Sequence, residues 1–253
     1  MTTFGALLAL AIGLVLGLLG GGGSILAVPT FLYVFHVEPK PAIAMSLVVV
    51  GMSALVGFVT HWRQGTVNVR IALLFGVLAM AGSFGGARLA HFVPASAQLA
   101  LFAAFALTAA VFMLRDSLRP RLAAPGHDAG PLRFSSLLGV QAVGVGVLTA
   151  LIGAGGGFLI VPSLVIMANV PVKEAVGSSL LIIAMNAASG VAGYLGQVAF
   201  DWALVGWFTA VAAAGALMGT RFMRRVPAAR IKQGFAIMIL VLGSYLVIRR
   251  LTH

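Results

Sequence analysis

The chain has 253 residues, 61% of them hydrophobic and only 8% charged, against roughly a quarter charged in a typical soluble protein. A mean hydropathy of +1.11 cannot be hidden in one core of this size, because too few polar residues remain to coat it. A soluble globular fold is excluded, and the solvent is lipid. The net charge of +11 would suggest nucleic acid in a soluble protein, but these Lys and Arg fall mostly between apolar runs, where they read as cytoplasmic loop anchors. The chain has no cysteine, so it holds no disulfide, thiolate metal site or cysteine nucleophile. At roughly 20 apolar residues per span, the length allows about eight membrane elements and leaves no room for a separate soluble domain.

In chain order, Met1 to Leu19 is apolar but lacks the basic start of a signal peptide, so it is expected to belong to the mature fold. The opening element is broken. Phe4 to Leu19 is followed by four glycines, Gly20 to Gly23, and then by Ile25 to Phe35; each apolar piece is shorter than a normal span. Pro41 to Trp62, Val69 to Leu89 and Ala95 to Leu114 are each long enough to cross as helices. Arg115 to Arg133, with Pro120, Pro125, Gly126 and Pro131, is the one long polar stretch. The second half then starts as the first did: Ser135 to Ile152, a break at Gly153 to Gly157, and Phe158 to Ala168.

The halves match at a fixed offset. Pro29 pairs with Pro162 (162 − 29 = 133), and the same offset pairs Lys40 with Lys173, Ser46 with Ser179, Gly57 with Gly190, Gly82 with Gly215, Arg88 with Arg221 and Pro94 with Pro227. The expected organisation is a first transmembrane repeat over 1–115, a polar linker over 116–133 and a second repeat over 134–253. The fold class is an all-α membrane protein of two homologous repeats, each a glycine-broken, re-entrant-like helix pair plus three transmembrane helices. Internal duplication with interrupted segments at matching positions is the usual plan of a secondary transporter, with the binding site at the breaks.

Loop charge bears on how the broken elements run. If each crosses once, the 16 Lys and Arg split eight against eight and give no orientation; if each enters and leaves on one side, they split twelve against four. The positive-inside rule favours the hairpin, so the repeats are expected to be inverted, with both termini outside.

Backbone N–H groups left unshielded by glycine, and the positive end of the half-helix that follows, suit an anion near mid-membrane depth. The expected ligands are the N–H groups of Gly22, Gly23 and Ser24 from one break and of Gly155, Gly156 and Gly157 from the other. Valine at Gly23 or Gly156 is expected to abolish binding while leaving folding largely intact. Ser46, Ser178 and Ser179 open the next helices and add candidate hydroxyls. Asn186 stands in mid-helix in apolar surroundings and needs a partner; its counterpart is Ser53. Arg88 and Arg221 read as interface anchors, and His61 and Tyr194 as interfacial side chains.

The segments GGGGSILAVP and GAGGGFLIVP, the AIAMSL and AVGSSL that follow, and GSFGGARLAHFVP with GALMGTRFMRRVP resemble the TauE/SafE sulfite exporter family. The resemblance covers nearly the whole chain. It implies a plasma-membrane permease for sulfur-containing anions such as sulfite, thiosulfate or an organosulfonate such as sulfoacetate. The family commonly carries Thr-Ser where this chain has Met45-Ser46 and Ser178-Ser179.

There is no phosphate-binding GxxxxGK[ST] loop, no H-E-x-x-H and no G-x-S-x-G, so an enzyme is not expected. No cofactor or metal is expected either. The expected partners are the small anion and the lipid bilayer, with self-association left open. An inside-negative potential drives an anion outward by about 2.3 kcal/mol per charge per 100 mV, which favours export; Glu38, Glu174 and Asp201 are the acidic candidates if a proton is coupled. The alternatives are a permease for another small anion, such as a carboxylate, and a non-transporting membrane scaffold.

Overall fold

The computed structural model describes residues 3–118, 136–153, 156–166, 168, 170 and 171–222. The linker residues 119–135, Gly155, and everything after Phe222, including most of the 221–232 basic cluster, lie outside these. Among the described residues all regular structure is helical. Helix α1 spans Thr3–Leu19; a 3-10 turn, Gly22–Leu26, leads into α2, Ala27–Tyr33; then come α3, Pro39–Arg63, α4, Val69–Leu89, and α5, Ala95–Leu118. The second half has α6, Ser136–Ile152, α7, Gly157–Ile166, α8, Val172–Tyr194, and α9, Trp202–Phe222.

The helix starts are chemically marked. Pro39 stands in the first turn of α3, where its missing N–H costs nothing. The Asn68 side chain accepts the Ile71 N–H at 3.3 Å to cap α4, and Asp201 Oδ1 accepts the Leu204 N–H at 3.0 Å to cap α9. Four helices, α3, α4, α8 and α9, are long and apolar enough to cross a membrane, and α3 and α8 are the more buried of the four.

Small residues set the packing. Gly13 and Gly17 of α1 lie on the backbone of Ala212 and Ala216 of α9, and Gly82 and Gly86 of α4 lie on Val143 and Val147 of α6. Both pairs therefore run parallel, at the close backbone approach that glycine permits. Adding 133 to Gly13 gives Gly146, which lies on Ala79 as Gly13 lies on Ala212. Helices α3 and α8 run antiparallel, with Leu47 beside Gly190, Gly51 beside Ala187 and Gly57 beside Leu180. Helix α4 runs parallel to α8, with Gly76 beside Met185, Ser83 beside Gly190 and Ala87 beside Gly193; the Ser83 hydroxyl donates to the Asn186 carbonyl at 2.9 Å, and Ser189 donates to the Met80 carbonyl at 2.7 Å.

Loop contacts place the charged helix ends. The turn between α3 and α4 sits on the first turns of α8, with the Asn68 N–H donating to Ser178 Oγ at 2.8 Å and Gly177 against the Thr66 carbonyl. Arg63, Arg70 and Lys173 thus share one end of the bundle. Lys40, whose ammonium donates to the His91 carbonyl at 3.1 Å, lies with Arg88 at the other. After Leu19 the chain turns back on itself: Gly23 lies against Ile12 and Leu16 of α1. In the second half Gly156 lies against Val145 and Thr149 of α6, which are Ile12 and Leu16 with 133 added.

Candidate functional site

The two breaks meet. Gly20 (φ +70°), Gly21 (φ +155°), Gly153 (φ +70°) and Gly156 (φ +63°) occupy backbone conformations that favour glycine. A Cβ on Gly21 would overlap the Gly157 Cα, and one on Gly157 would overlap the Gly21 Cα. The breaks are packed backbone to backbone at these two residues, so a ligand has to lie beside that contact.

Each break is tied to a helix of the other half. Ser46 Oγ donates toward the Gly153 carbonyl at 2.9 Å and the Ile43 carbonyl at 2.7 Å. Ser179 Oγ donates toward the Gly20 carbonyl at 2.7 Å and the Val176 carbonyl at 2.7 Å. Both hydroxyls are fully buried and hold their proton between two backbone carbonyls, so an anion contact from either needs the tie to open. Because the two ties are equivalent, Ser46→Ala and Ser179→Ala are expected to lower stability by similar amounts, about 1–3 kcal/mol each for a buried carbonyl left short of a donor. Thermal denaturation of the purified variants measures this; a loss in one variant alone would mean that one tie is idle.

The other candidate side chains separate by their partners. Ser178 is engaged by the Asn68 backbone and so belongs to the end of the bundle. Ser24 Oγ donates to the Gly21 carbonyl at 2.7 Å. Ser53 and Asn186 differ from these: both are buried, and neither Ser53 Oγ nor either side-chain atom of Asn186 has a hydrogen-bond partner. They follow Ser46 and Ser179 by seven residues, which places them on the same helix faces about 10 Å further along. Ile183, one turn before Asn186, touches Gly157.

Gly23 and Gly156 have a packing duty that the sequence does not reveal. A Cβ on Gly23 would overlap the Ile12 carbonyl, and one on Gly156 would overlap Thr149 Oγ1. Valine at either position therefore disrupts the hairpin itself, which corrects the expectation that folding survives. His61 and Tyr194 are also corrected: both are fully buried, not interfacial. His61 Nδ1 pairs with the Thr66 hydroxyl at 2.9 Å, and the Tyr194 hydroxyl donates to the Ala150 carbonyl at 2.8 Å. Arg88 and Arg221 are exposed at helix ends, with Arg88 over the Phe84 ring. Asp201 is spent on capping α9, Glu38 is exposed and Glu174 is half-buried. Among the described residues no cluster of His, Asp or Glu could hold a metal ion.

Thr149 is a further candidate, one that comparison of the halves misses. It stands beside Gly156, is buried and has no partner for its hydroxyl, but its counterpart is Leu16, so the duplication gives no polar signal there.

Known proteins supply the remaining observation. Residues 5–246 match the family described as Sulfite exporter TauE/SafE. The chain belongs to the TauE/SafE family. A Xylella fastidiosa relative named "Probable membrane transporter protein" is 31% identical over 243 residues, covering 94% of this chain and 92% of its own. A Bacillus subtilis relative of the same description, YdhB, is 27% identical over 93% of this chain and 96% of its own. No solved structure matches the chain. As a TauE/SafE protein it is a multi-pass membrane transporter and not an enzyme.

Proposed function

We propose that this TauE/SafE transporter exports a small sulfur-containing anion, such as sulfite, thiosulfate or a short organosulfonate, across the plasma membrane. On this reading the halves are inverted repeats, each a glycine-broken helix pair followed by three spans. The anion lies beside the Gly21–Gly157 contact, against the N–H groups of Gly22 and Gly23 and of Gly156 and Gly157; the Ser24 N–H is already engaged by the Gly21 carbonyl at 3.3 Å, which removes it from the expected ligands, and Gly155 lies outside the described residues. Ser53 and Asn186 flank it, Ser46 and Ser179 hold the surrounding backbone, and Ser178 ties the turn after α3 to α8.

Asn186 carries the proposal. A fully buried amide with both side-chain atoms unpartnered costs roughly 1–3 kcal/mol per group, and it stands one turn from the residue that touches Gly157. An oxyanion there accepts from Nδ2 and offsets that cost. None of Glu38, Glu174 and Asp201 is buried, so the membrane potential, which pushes an anion outward, is the driving force we assign.

Calorimetry on purified protein with sulfite, thiosulfate, sulfoacetate, taurine and acetate tests the substrate class. Binding of one or more sulfur oxyanions and not of acetate is expected; tighter binding of acetate would favour a carboxylate permease, since backbone N–H groups serve both. In proteoliposomes, flux of the bound anion should follow an imposed potential without an ion gradient.

Orientation has its own test. The end carrying Arg63, Arg70 and Lys173 should face the cytoplasm with the 116–133 linker, and the end carrying Lys40 and Arg88 should face outside. The chain has no native cysteine, so single cysteines at Gln64, Ser117 and His91 can be labelled in intact cells with a membrane-impermeant maleimide. His91→Cys should label and the other two should not. A fourth single cysteine, Lys173→Cys, decides inversion, because it compares the two halves: labelling of Lys173→Cys and Ser117→Cys from opposite sides would refute it.

A further inference from the structure

The two breaks share their glycines but differ in the helix that follows each and in what surrounds it. The first opens into a 3-10 turn, in which the Ser24 N–H already donates to the Gly21 carbonyl at 3.3 Å, before the short α2 begins. The second opens directly into α7, a ten-residue helix starting at Gly157, so its first N–H groups and dipole are gathered at one point.

Thr149 faces that point. It lies in the last turn of α6; its carbonyl accepts the Gly153 N–H at 2.8 Å, while a Cβ on Gly156 would overlap its hydroxyl. Threonines inside helices normally turn their hydroxyl back onto a carbonyl three or four residues earlier. Thr30, Thr60, Thr108 and Thr220 all do so here, donating to Leu26, Val56, Ala104 and Leu217. Thr149, at 1% exposure, does not. Thr209 also lacks a partner, but it is half-buried on α9.

A buried hydroxyl that forgoes an available backbone acceptor is unfavourable unless something else takes its proton. We infer that Thr149 is a specificity-determining residue: its hydroxyl donates to one oxygen of the transported oxyanion at the start of α7, so the anion is held off-centre, on the second break. The equivalent position of the first half is Leu16, which has no donor. Asn186 reaches the same side from α8, through the turn whose Ile183 touches Gly157. This inference rests on the anion reading above and adds to it a side chain and a direction.

The test is Thr149→Val, which keeps the shape and removes the donor, with Thr149→Ser as the conservative variant. Calorimetry is run on purified wild type and both variants with sulfite, thiosulfate and sulfoacetate. Thr149→Val should lose at least tenfold in affinity for whichever of these the wild type binds, Thr149→Ser should stay within about threefold, and the midpoint of thermal unfolding without anion should be unchanged or raised in Thr149→Val. A purely structural hydroxyl would lower that midpoint and leave affinity alone. Wild-type affinity in Thr149→Val overturns the inference while the anion reading stands. Absence of binding of all three anions to the wild type overturns both.

Discussion

Valine at Gly21 should leave no folded protein to purify. Its Cβ would overlap the Gly157 Cα, its φ is +155°, and the opposing surface is backbone with no side chain that could swing away. Overpacking costs roughly 1–3 kcal/mol even where side chains can adjust, and a sparsely populated backbone conformation adds about 1–3 kcal/mol for a residue with a Cβ. Here the obstruction falls where two halves of the chain meet, so local retreat would separate them. Gly157→Val should fail in the same way from the opposite side. Gly85→Val and Gly144→Val, in helices where nothing lies within 4 Å of an added Cβ, are the controls and should fold. Size-exclusion chromatography of fluorescent fusions reads the result directly: a monodisperse wild-type peak from Gly21→Val would mean that the breaks are not in contact.

Asn186→Leu should reduce affinity for the transported anion more than tenfold without lowering the thermal midpoint. A hydrogen bond to a charged ligand is worth roughly 1.5–3 kcal/mol, while the protein itself loses no side-chain bond, because neither amide atom makes one. Leucine has similar volume and removes a buried polar group that costs free energy when the site is empty. Ser53→Ala should lose less, since a lone hydroxyl offers one donor where the amide offers two. Calorimetry against the same anion panel compares them; equal losses would show that the halves contribute alike, and a thermal midpoint lowered by several degrees in Asn186→Leu would recast Asn186 as structural.

The helices were largely legible because lipid leaves little choice. Backbone groups must be satisfied within the segment, so the apolar runs from Val69 to Leu89 and from Ser135 to Ile152 reappear as helices with nearly the same limits. Four successive glycines advertise a break in any context. What the sequence could not supply is which faces meet. Ser46 and Ser179 read equally well as ligand hydroxyls or as back-bonded helix residues, and only the position of Gly153 and Gly20 beside them shows that they tie one half to the other. His61 and Tyr194, near helix ends, looked interfacial because distance along the helix says nothing about lateral burial. Thr149 was invisible for a further reason: repeat comparison highlights positions polar in both halves, whereas this one is polar in a single half.

The pairing of α1 with α9 has a consequence for how the protein is made. Gly13 rests on Ala212, a separation of 212 − 13 = 199 residues, and at about 5–20 residues per second of synthesis α1 waits roughly 10–40 s for its partner. During that time its glycine face is turned to lipid or to whatever assists insertion. The reciprocal pair, α4 and α6, closes much sooner, because Gly82 and Val143 are separated by only 143 − 82 = 61 residues. Assembly should therefore begin around α4, α6 and α8, and the amino-terminal hairpin should be the last piece to dock. Chains truncated before residue 202 should be cleared by membrane proteases with that hairpin still unpaired, and supplying 202–253 as a separate polypeptide should rescue them.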